Sequence, residues 1–237
     1  MRAVARAARV VADPRARARR RIAARRAARD DGDAARRFVA PNESATAKIA
    51  RALARVAREG DVICLRGAVG AGKSAFARAF VRAATLDASR DVPSPTYLVQ
   101  QRYDVDDDDD ATRGGKSVHH YDLYRLRDEA EIEAMVDLRE SAARAVSVVE
   151  WSERLGRLTP ETRLEVRVRA IERGEDAEGE VVDGSDEAGD ETEEEEEEED
   201  DDEEEVDAAY VDVAARSIRF VGFGGDWADR IARVSPK

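Results

Sequence analysis

The chain has 237 residues with 53 acidic and 40 basic side chains, a formal net charge of −13, and a single cysteine, Cys64. One cysteine excludes a disulfide framework and a cysteine metal cluster and fits a reducing compartment, and no apolar run of about 18 residues codes a membrane span. The charge is unevenly placed: residues 1–29 hold eleven Arg against one Asp, residues 172–207 hold 24 acidic side chains against Arg173, and the remainder is near neutral and about one domain in size.

Residues 1–37 form an Arg/Ala-rich extension, and the acid-poor character of its first 29 residues matches an organelle transit peptide. A basic arm for RNA would carry similar charge, and so would translation upstream of the true start in a G+C-rich gene. A transit peptide places the protein in a mitochondrion or plastid; without one it is cytoplasmic. From Pro41 the pattern is that of a folded chain. Asn42 or Ser44 can cap a helix running to Arg58, with Ile49, Leu53 and Val56 on one face and Gly60 at its end.

Asp61–Arg66 (DVICLR) is a short β-branched run that fits a buried strand, and from Gly72 the chain is rich in helix formers. Between them lies the pattern G-x-x-x-x-G-K-S, Gly67-Ala68-Val69-Gly70-Ala71-Gly72-Lys73-Ser74, followed by Ala75. Glycines let the backbone turn successive N–H groups toward a phosphate, and the helix start adds its positive dipole end. Lys73 is expected to reach the β- and γ-phosphates and the Ser74 hydroxyl to ligate Mg²⁺, so the cofactors implied are ATP and Mg²⁺.

Next comes DVPSPTY, Asp91–Tyr97, where two prolines forbid regular structure and leave hydroxyls at Ser94 and Thr96. Both a nucleotide-sensing segment and a plain rigid connection fit that stretch. Leu98–Tyr103 reads as a strand and 104–116 as a polar hairpin loop. Its five aspartates, Asp106–Asp110, lack the spacing and glycine turn of a calcium loop and read as a solvated run.

Val118–Tyr124 and Ala145–Glu150 read as strands that deliver Asp122 and Glu150 at or near their C-terminal ends, the edge where an open α/β sheet binds ligands. Both carboxylates are candidates for the Mg²⁺–phosphate region, one holding the ion and the other orienting water. Pairing with Arg125 or Arg154 is the competing use. Trp151 can flank a nucleotide or fill the core. His119 and His120 fall on opposite faces by alternation, without metal-ligand spacing, and suit core or hydrogen-bonding roles.

Asp128–Met135 reads as a helix opened by acidic residues, and Arg163–Arg169 alternates as a half-exposed antiparallel strand would. Residues 174–207 form an acidic insertion, including thirteen consecutive acids at Glu193–Glu205, that cannot bury apolar area and is expected to be disordered. The strand and helix of 208–237 then complete the core of 38–173. Such an insertion in a hairpin is tolerable because loop-closure entropy grows only with the logarithm of length. The fold class expected is α/β: a P-loop NTPase-like mixed β-sheet flanked by helices, a single domain.

The ordered stretches GDVICLRGAVGAGKS, VPSPTY, HYDLYRL and VVEW resemble the TsaE (YjeE) family, small P-loop ATPases of tRNA threonylcarbamoyladenosine synthesis, over about Pro41–Arg173 and again from Val213. The resemblance implies an ATPase acting on TsaB-like and TsaD-like partners; the near-neutral core proposes no direct tRNA binding, so tRNA is expected to be contacted only indirectly, and no membrane partner is expected. It implies phosphate and Mg²⁺ binding by Lys73 and Ser74, a Walker-B-like role for Asp122, the essential acid at Glu150 and its aromatic neighbour at Trp151. Thr46 falls where the family has a threonine near the nucleotide. The chain departs from the family pattern at Ala68 (usually Asp), Ser74 (Thr), Ser152 (Pro) and Val136 (Gly). Ser74 keeps the hydroxyl, whereas Ala68 removes a carboxylate from the loop. A GTPase would need N-K-x-D, which is absent, as is the signature segment of an ABC ATPase. A small-molecule kinase and a nucleotide-dependent scaffold remain as alternatives, and the absence of an Arg-rich insertion suited to covering phosphates counts against the kinase.

Overall fold

A computed structural model describes residues 34–95, 97–105, 114–172, 178–185 and 214–237. Residues 1–33 of the expected transit segment, Thr96, the Asp106–Asp110 run and most of the acidic insertion lie outside the described residues. Eight strands form one sheet in the order β3-β4-β5-β2-β6-β8-β1-β7: β1 (Ala34–Ala40), β2 (Val62–Arg66), β3 (Gln100–Tyr103), β4 (Val118–Asp122), β5 (Val146–Glu150), β6 (Arg163–Ala170), β7 (Glu180–Val181) and β8 (Arg216–Phe223). The block β4-β5-β2-β6 is parallel, and β3 and β8 run antiparallel beside it. This is the mixed α/β sheet that the sequence predicts.

Helix α1 (Glu43–Val56) begins at Asn42, whose Oδ1 accepts from Ala45 N at 2.9 Å. With α2 (Lys73–Ala84) and α5 (Trp227–Arg233) it covers one face of the sheet, where Ile49, Leu53, Phe76, Phe80, Ile63, Leu65, Phe220 and Trp227 are buried together. Each such side chain contributes about 1.5–3 kcal/mol. On the other face α3 (Glu129–Met135), α4 (Leu138–Ala142) and a 3₁₀ segment (Ser152–Leu158) pack Ile132 and Leu155 against Val62, Cys64, Tyr121 and Val149. Val136 replaces the family's glycine without difficulty: it leaves α3 in extended conformation, φ −127°, and its N–H still reaches Ile132 O. No helix among the described residues is long and apolar enough to cross a membrane.

Three expectations need correction. The extension does not run to residue 37, because Ala34–Arg37 already belong to β1 and pair with β8 from Gly222 to Arg219. Within the acidic insertion, Glu180–Val181 pairs in parallel with β1, Val182 is 2% exposed in the main core, and Asn42 Nδ2 donates to Gly184 O at 3.0 Å. The apolar pair Val181-Val182 thus docks a segment that its neighbours' charge marks as unfolded. Finally, β6 alternates as read but is an interior strand, antiparallel to β8 and parallel to β2.

Beyond the insertion, Arg230 forms a bidentate pair with Asp61, Nη1 to Oδ2 at 2.5 Å and Nη2 to Oδ1 at 2.9 Å. Both side chains are largely shielded. That fork ties the C-terminal helix to the chain just before β2, from which the site loop departs.

Candidate nucleotide site

The loop Gly67–Gly72 between β2 and α2 is shaped by three glycines with φ of +154°, +73° and +100° at Gly67, Gly70 and Gly72, values that L side chains rarely adopt. Space is also restrictive at Gly67, where a Cβ would lie 2.3 Å from the Val168 carbonyl oxygen of β6. At Gly70 it would meet nothing within 4 Å. The loop curls around the start of α2, which has no acidic residue in its first turn. The N–H groups that lack intrahelical partners and the helix dipole therefore favour an anion there, with no carboxylate from the helix's own first turn to compete.

Lys73 Nζ donates to the carbonyls of Gly67 at 2.9 Å and Ala68 at 2.8 Å and lies 3.7 Å from the centroid of the Trp151 ring. Burial lowers its pKa from the ordinary lysine value, opposed by the negative charge of Glu150, Glu153 and Asp122. A partly dried ammonium of this kind gains by meeting an anion. Trp151 sits over it because its φ is +57°, a strained left-handed conformation for a bulky residue, which turns the chain sharply out of β5. Tyr124 packs on the same indole at 4.9 Å.

Ser74 Oγ donates to Glu150 Oε2 at 2.8 Å. The other oxygen, Oε1, is 2.9 Å from His120 Nε2, and both residues are 1% exposed. With Glu150 a carboxylate, Nε2 must carry the hydrogen. His120 Nδ1 is buried with no partner among the described residues. Asp122 and Glu150 are register partners at the ends of β4 and β5. Asp122 Oδ1 accepts from Tyr124 N at 2.9 Å and Oδ2 from Ser94 Oγ at 3.3 Å. Arg125 stacks on Tyr97, and Arg154 donates to Leu126 O. The oxygens of Ser74, Asp122 and Glu150 are of the kind a hard divalent cation takes.

A cavity of about 540 Å³ joins these groups, a size usual for small-molecule sites. Val69–Ala75, Thr46, Asp122, Glu150 and Trp151 all line it. Gly67 and Ala68 stand behind it, holding Lys73 by their carbonyls. Thr46 is buried, with Oγ1 donating to Asn42 O at 3.2 Å.

Arg216 also lines the cavity, and sequence reasoning missed it. Its Nε donates to Ala71 O at 2.9 Å, so the first residue of β8 braces the loop from below. Arg216 stands 145 residues beyond Ala71 and in no motif at all, and its strand pairings, with Ala170 of β6 and Ala40 of β1, bring it there. Asn42 and Tyr124, likewise unforeseen, complete the rim.

The family model described as threonylcarbamoyl adenosine biosynthesis protein TsaE matches residues 40–177. The chain is 34% identical over 113 residues to the tRNA threonylcarbamoyladenosine biosynthesis protein TsaE of Aquifex aeolicus, covering 48% of this chain and 74% of that protein. It is 33% identical over 145 residues to the protein of the same name from Bacillus subtilis, covering 61% and 81%. Among solved structures, Bacillus subtilis YdiB matches with a TM-score of 0.54 at 19% identity, over 84% of this chain and 93% of that one. That likeness concerns the fold alone.

Proposed function

The chain belongs to the TsaE family, and from that premise we propose that it is an Mg²⁺-dependent ATPase of the machinery that makes threonylcarbamoyladenosine in tRNA, acting on a TsaB–TsaD-like pair. The observation that carries the ATPase reading is the hydrogen bond from Ser74 Oγ to Glu150 Oε2 at 2.8 Å, beside a glycine loop and a buried lysine. The tRNA role rests on the family and on the names of its relatives.

In this reading the N–H groups of Gly70–Ser74 would receive the β-phosphate, and Lys73 would exchange its two carbonyl partners for the β- and γ-phosphate oxygens. Ser74 and Glu150 would hold the metal, Glu150 being oriented by the His120 hydrogen bond, and Asp122 would support it from the adjoining strand. Bound Mg²⁺ would neutralise the charge that develops on the phosphate oxygens as the terminal phosphoryl group leaves. Among the described residues no group of three or more His, Cys, Asp and Glu could hold a metal by itself. This suits Mg²⁺, which commonly takes one or two carboxylates together with substrate phosphates. Trp151 and Tyr124 present π faces at the rim, where a nucleoside ring would stack.

ATP turnover measured with and without TsaB-like and TsaD-like proteins from the same source tests the proposal. Slow turnover that rises when the partners are added supports it. ATP-dependent phosphorylation of a small molecule without partners would favour a kinase, and tight ATP binding with no turnover under either condition a scaffold.

A further inference from the structure

Residues 178–185 follow directly on the span that the family model matches, 40–177. Glu180 and Val181 pair in parallel with Phe38 and Val39 of β1, Val182 N donates to Val39 O at 2.9 Å, and the Val182 side chain is 2% exposed. Running parallel to β1, the segment is carried toward the residue that follows it in space, Asn42 at the start of α1. There Asp183 closes a turn, its Oδ1 accepting from Ser185 N at 2.9 Å and its Oδ2 from Ser185 Oγ at 2.6 Å. The turn presents two carbonyls to α1: Gly184 O accepts from Asn42 Nδ2 at 3.0 Å, and Ser185 O from Lys48 Nζ at 2.9 Å.

Asn42 is where this turn meets the nucleotide cavity. It lines the cavity, its Oδ1 caps α1 through Ala45 N at 2.9 Å, and its carbonyl accepts from Oγ1 of Thr46, another lining residue, at 3.2 Å. Both ends of the amide are thus engaged. Gly184 lies so close to it that a Cβ there would stand 2.4 Å from Oδ1, 2.5 Å from Nδ2 and 2.7 Å from Cγ. The amide cannot swing aside without releasing the first turn of α1, so residue 184 must be glycine for space. The far end of the insertion returns to the same cavity. Ala214 lines it, and Arg216, whose Nε holds Ala71 O at 2.9 Å, donates through Nη1 to the Ala214 carbonyl.

We propose that the turn Val182–Ser185 is a positioning element of the nucleotide site: Gly184 sets the place of Asn42, and Asn42 sets the cavity wall against which ATP is held. The inference rests on the ATP reading above. Groups that line a site contribute fully to affinity only when they are already held in the binding geometry. Here a glycine packed on a doubly bonded amide leaves Asn42 one position, so part of the ATP affinity of this chain comes from outside the family-matching span.

The test is calorimetric titration of the full chain with ATP and Mg²⁺, comparing wild type, Gly184→Ala, Asn42→Ser and the double variant. Serine at residue 42 still caps α1 but has no amide for the added methyl to strike. Gly184→Ala is expected to weaken ATP binding by about threefold or more, and by less than about twofold when introduced into Asn42→Ser, so that the two effects do not add. Saturating ATP restores partner-stimulated turnover in Gly184→Ala, which places the loss in binding. Lys48→Met, which frees Ser185 O without touching the cavity, weakens ATP binding in the same direction. Ile132→Val, a core change on the opposite face of the sheet, controls for general destabilisation and keeps ATP affinity within about twofold of wild type. Wild-type affinity in Gly184→Ala, or effects of the two substitutions that simply add, overturns the proposal while the ATP reading stands. A wild-type chain that binds no ATP overturns both.

Discussion

Ser74 Oγ and Glu150 Oε2 stand 2.8 Å apart although 76 residues separate them in the chain. The contact joins the first turn of α2 to the end of β5 and fixes where a cation could meet both a hydroxyl and a carboxylate. His120 holds the second carboxylate oxygen, so Glu150 has little freedom to turn away.

Replacing Glu150 by Gln preserves size and one hydrogen-bond acceptor but removes the charge. We expect partner-stimulated ATP turnover to fall by about two orders of magnitude or more, while ATP affinity changes only a few-fold. Steady-state kinetics beside calorimetry would reveal it, and turnover at the wild-type rate would exclude Glu150 from the chemistry.

Lys73→Ala should abolish ATP binding while leaving the chain folded: two hydrogen bonds to carbonyls are lost, and the cost of burying an ammonium with no carboxylate in contact is relieved at the same time. Calorimetric titration and thermal unfolding on one preparation would report both properties. Retained ATP affinity would contradict the assignment.

Arg216→Gln tests the bracing of the loop. Loss of the Nε bond leaves the Ala71 carbonyl short of a donor, at a cost of about 1–3 kcal/mol. ATP affinity should fall together with the unfolding free energy, since the same bond shapes the loop. A variant that loses neither would show that Arg216 merely fills space.

What was legible in the sequence was what lies close together in it. The glycine loop with Lys73 and Ser74 is a contiguous pattern, and the strands ending in Asp122 and Glu150 each carry their own apolar signal. The edges were not legible. Strand β1 lies in an Arg/Ala-rich context, and its alternation of Phe38 and Ala40 with Arg37 and Val39 acquires meaning only against β8, about 180 residues later. Glu180–Val182 is masked by the surrounding acids, and Arg216 belongs to no motif. In each case the missing information is a long-range strand pairing.

The insertion should divide into two parts. Removing residues 187–212, which lie outside the described residues, leaves every contact described above in place and should leave the chain folded. Removing 178–185 as well uncovers the site of Val182 and the edge of β1, and should cost about 1.5–3 kcal/mol. Urea unfolding of the two deletions would separate the cases; equal stability would mean that the β7 segment does not pack.

Acid should weaken the fold through His119, whose pKa is lowered by burial and then by Arg102. Above the unfolded value of 6.5 both states are neutral and the residue contributes no pH dependence. As pH falls through 6.5, the unfolded chain takes a proton that folded His119 resists, so stability declines until pH passes below the lowered folded value. Urea unfolding across that window should show a shallower decline in His119→Asn than in the wild type. Identical slopes would remove His119 from the account.

The central claim is that ATP handled at Lys73, Ser74 and Glu150 drives tRNA modification. The most direct measurement is the threonylcarbamoyladenosine content of total tRNA in a cell that lacks its own TsaE protein and receives this chain together with TsaB-like and TsaD-like partners from the same source. The wild-type chain should restore the modified nucleoside, and Lys73→Ala and Glu150→Gln should not, at equal soluble expression. Failure of the wild type to restore it despite measurable ATP binding, or restoration by the Lys73→Ala variant, would contradict the claim.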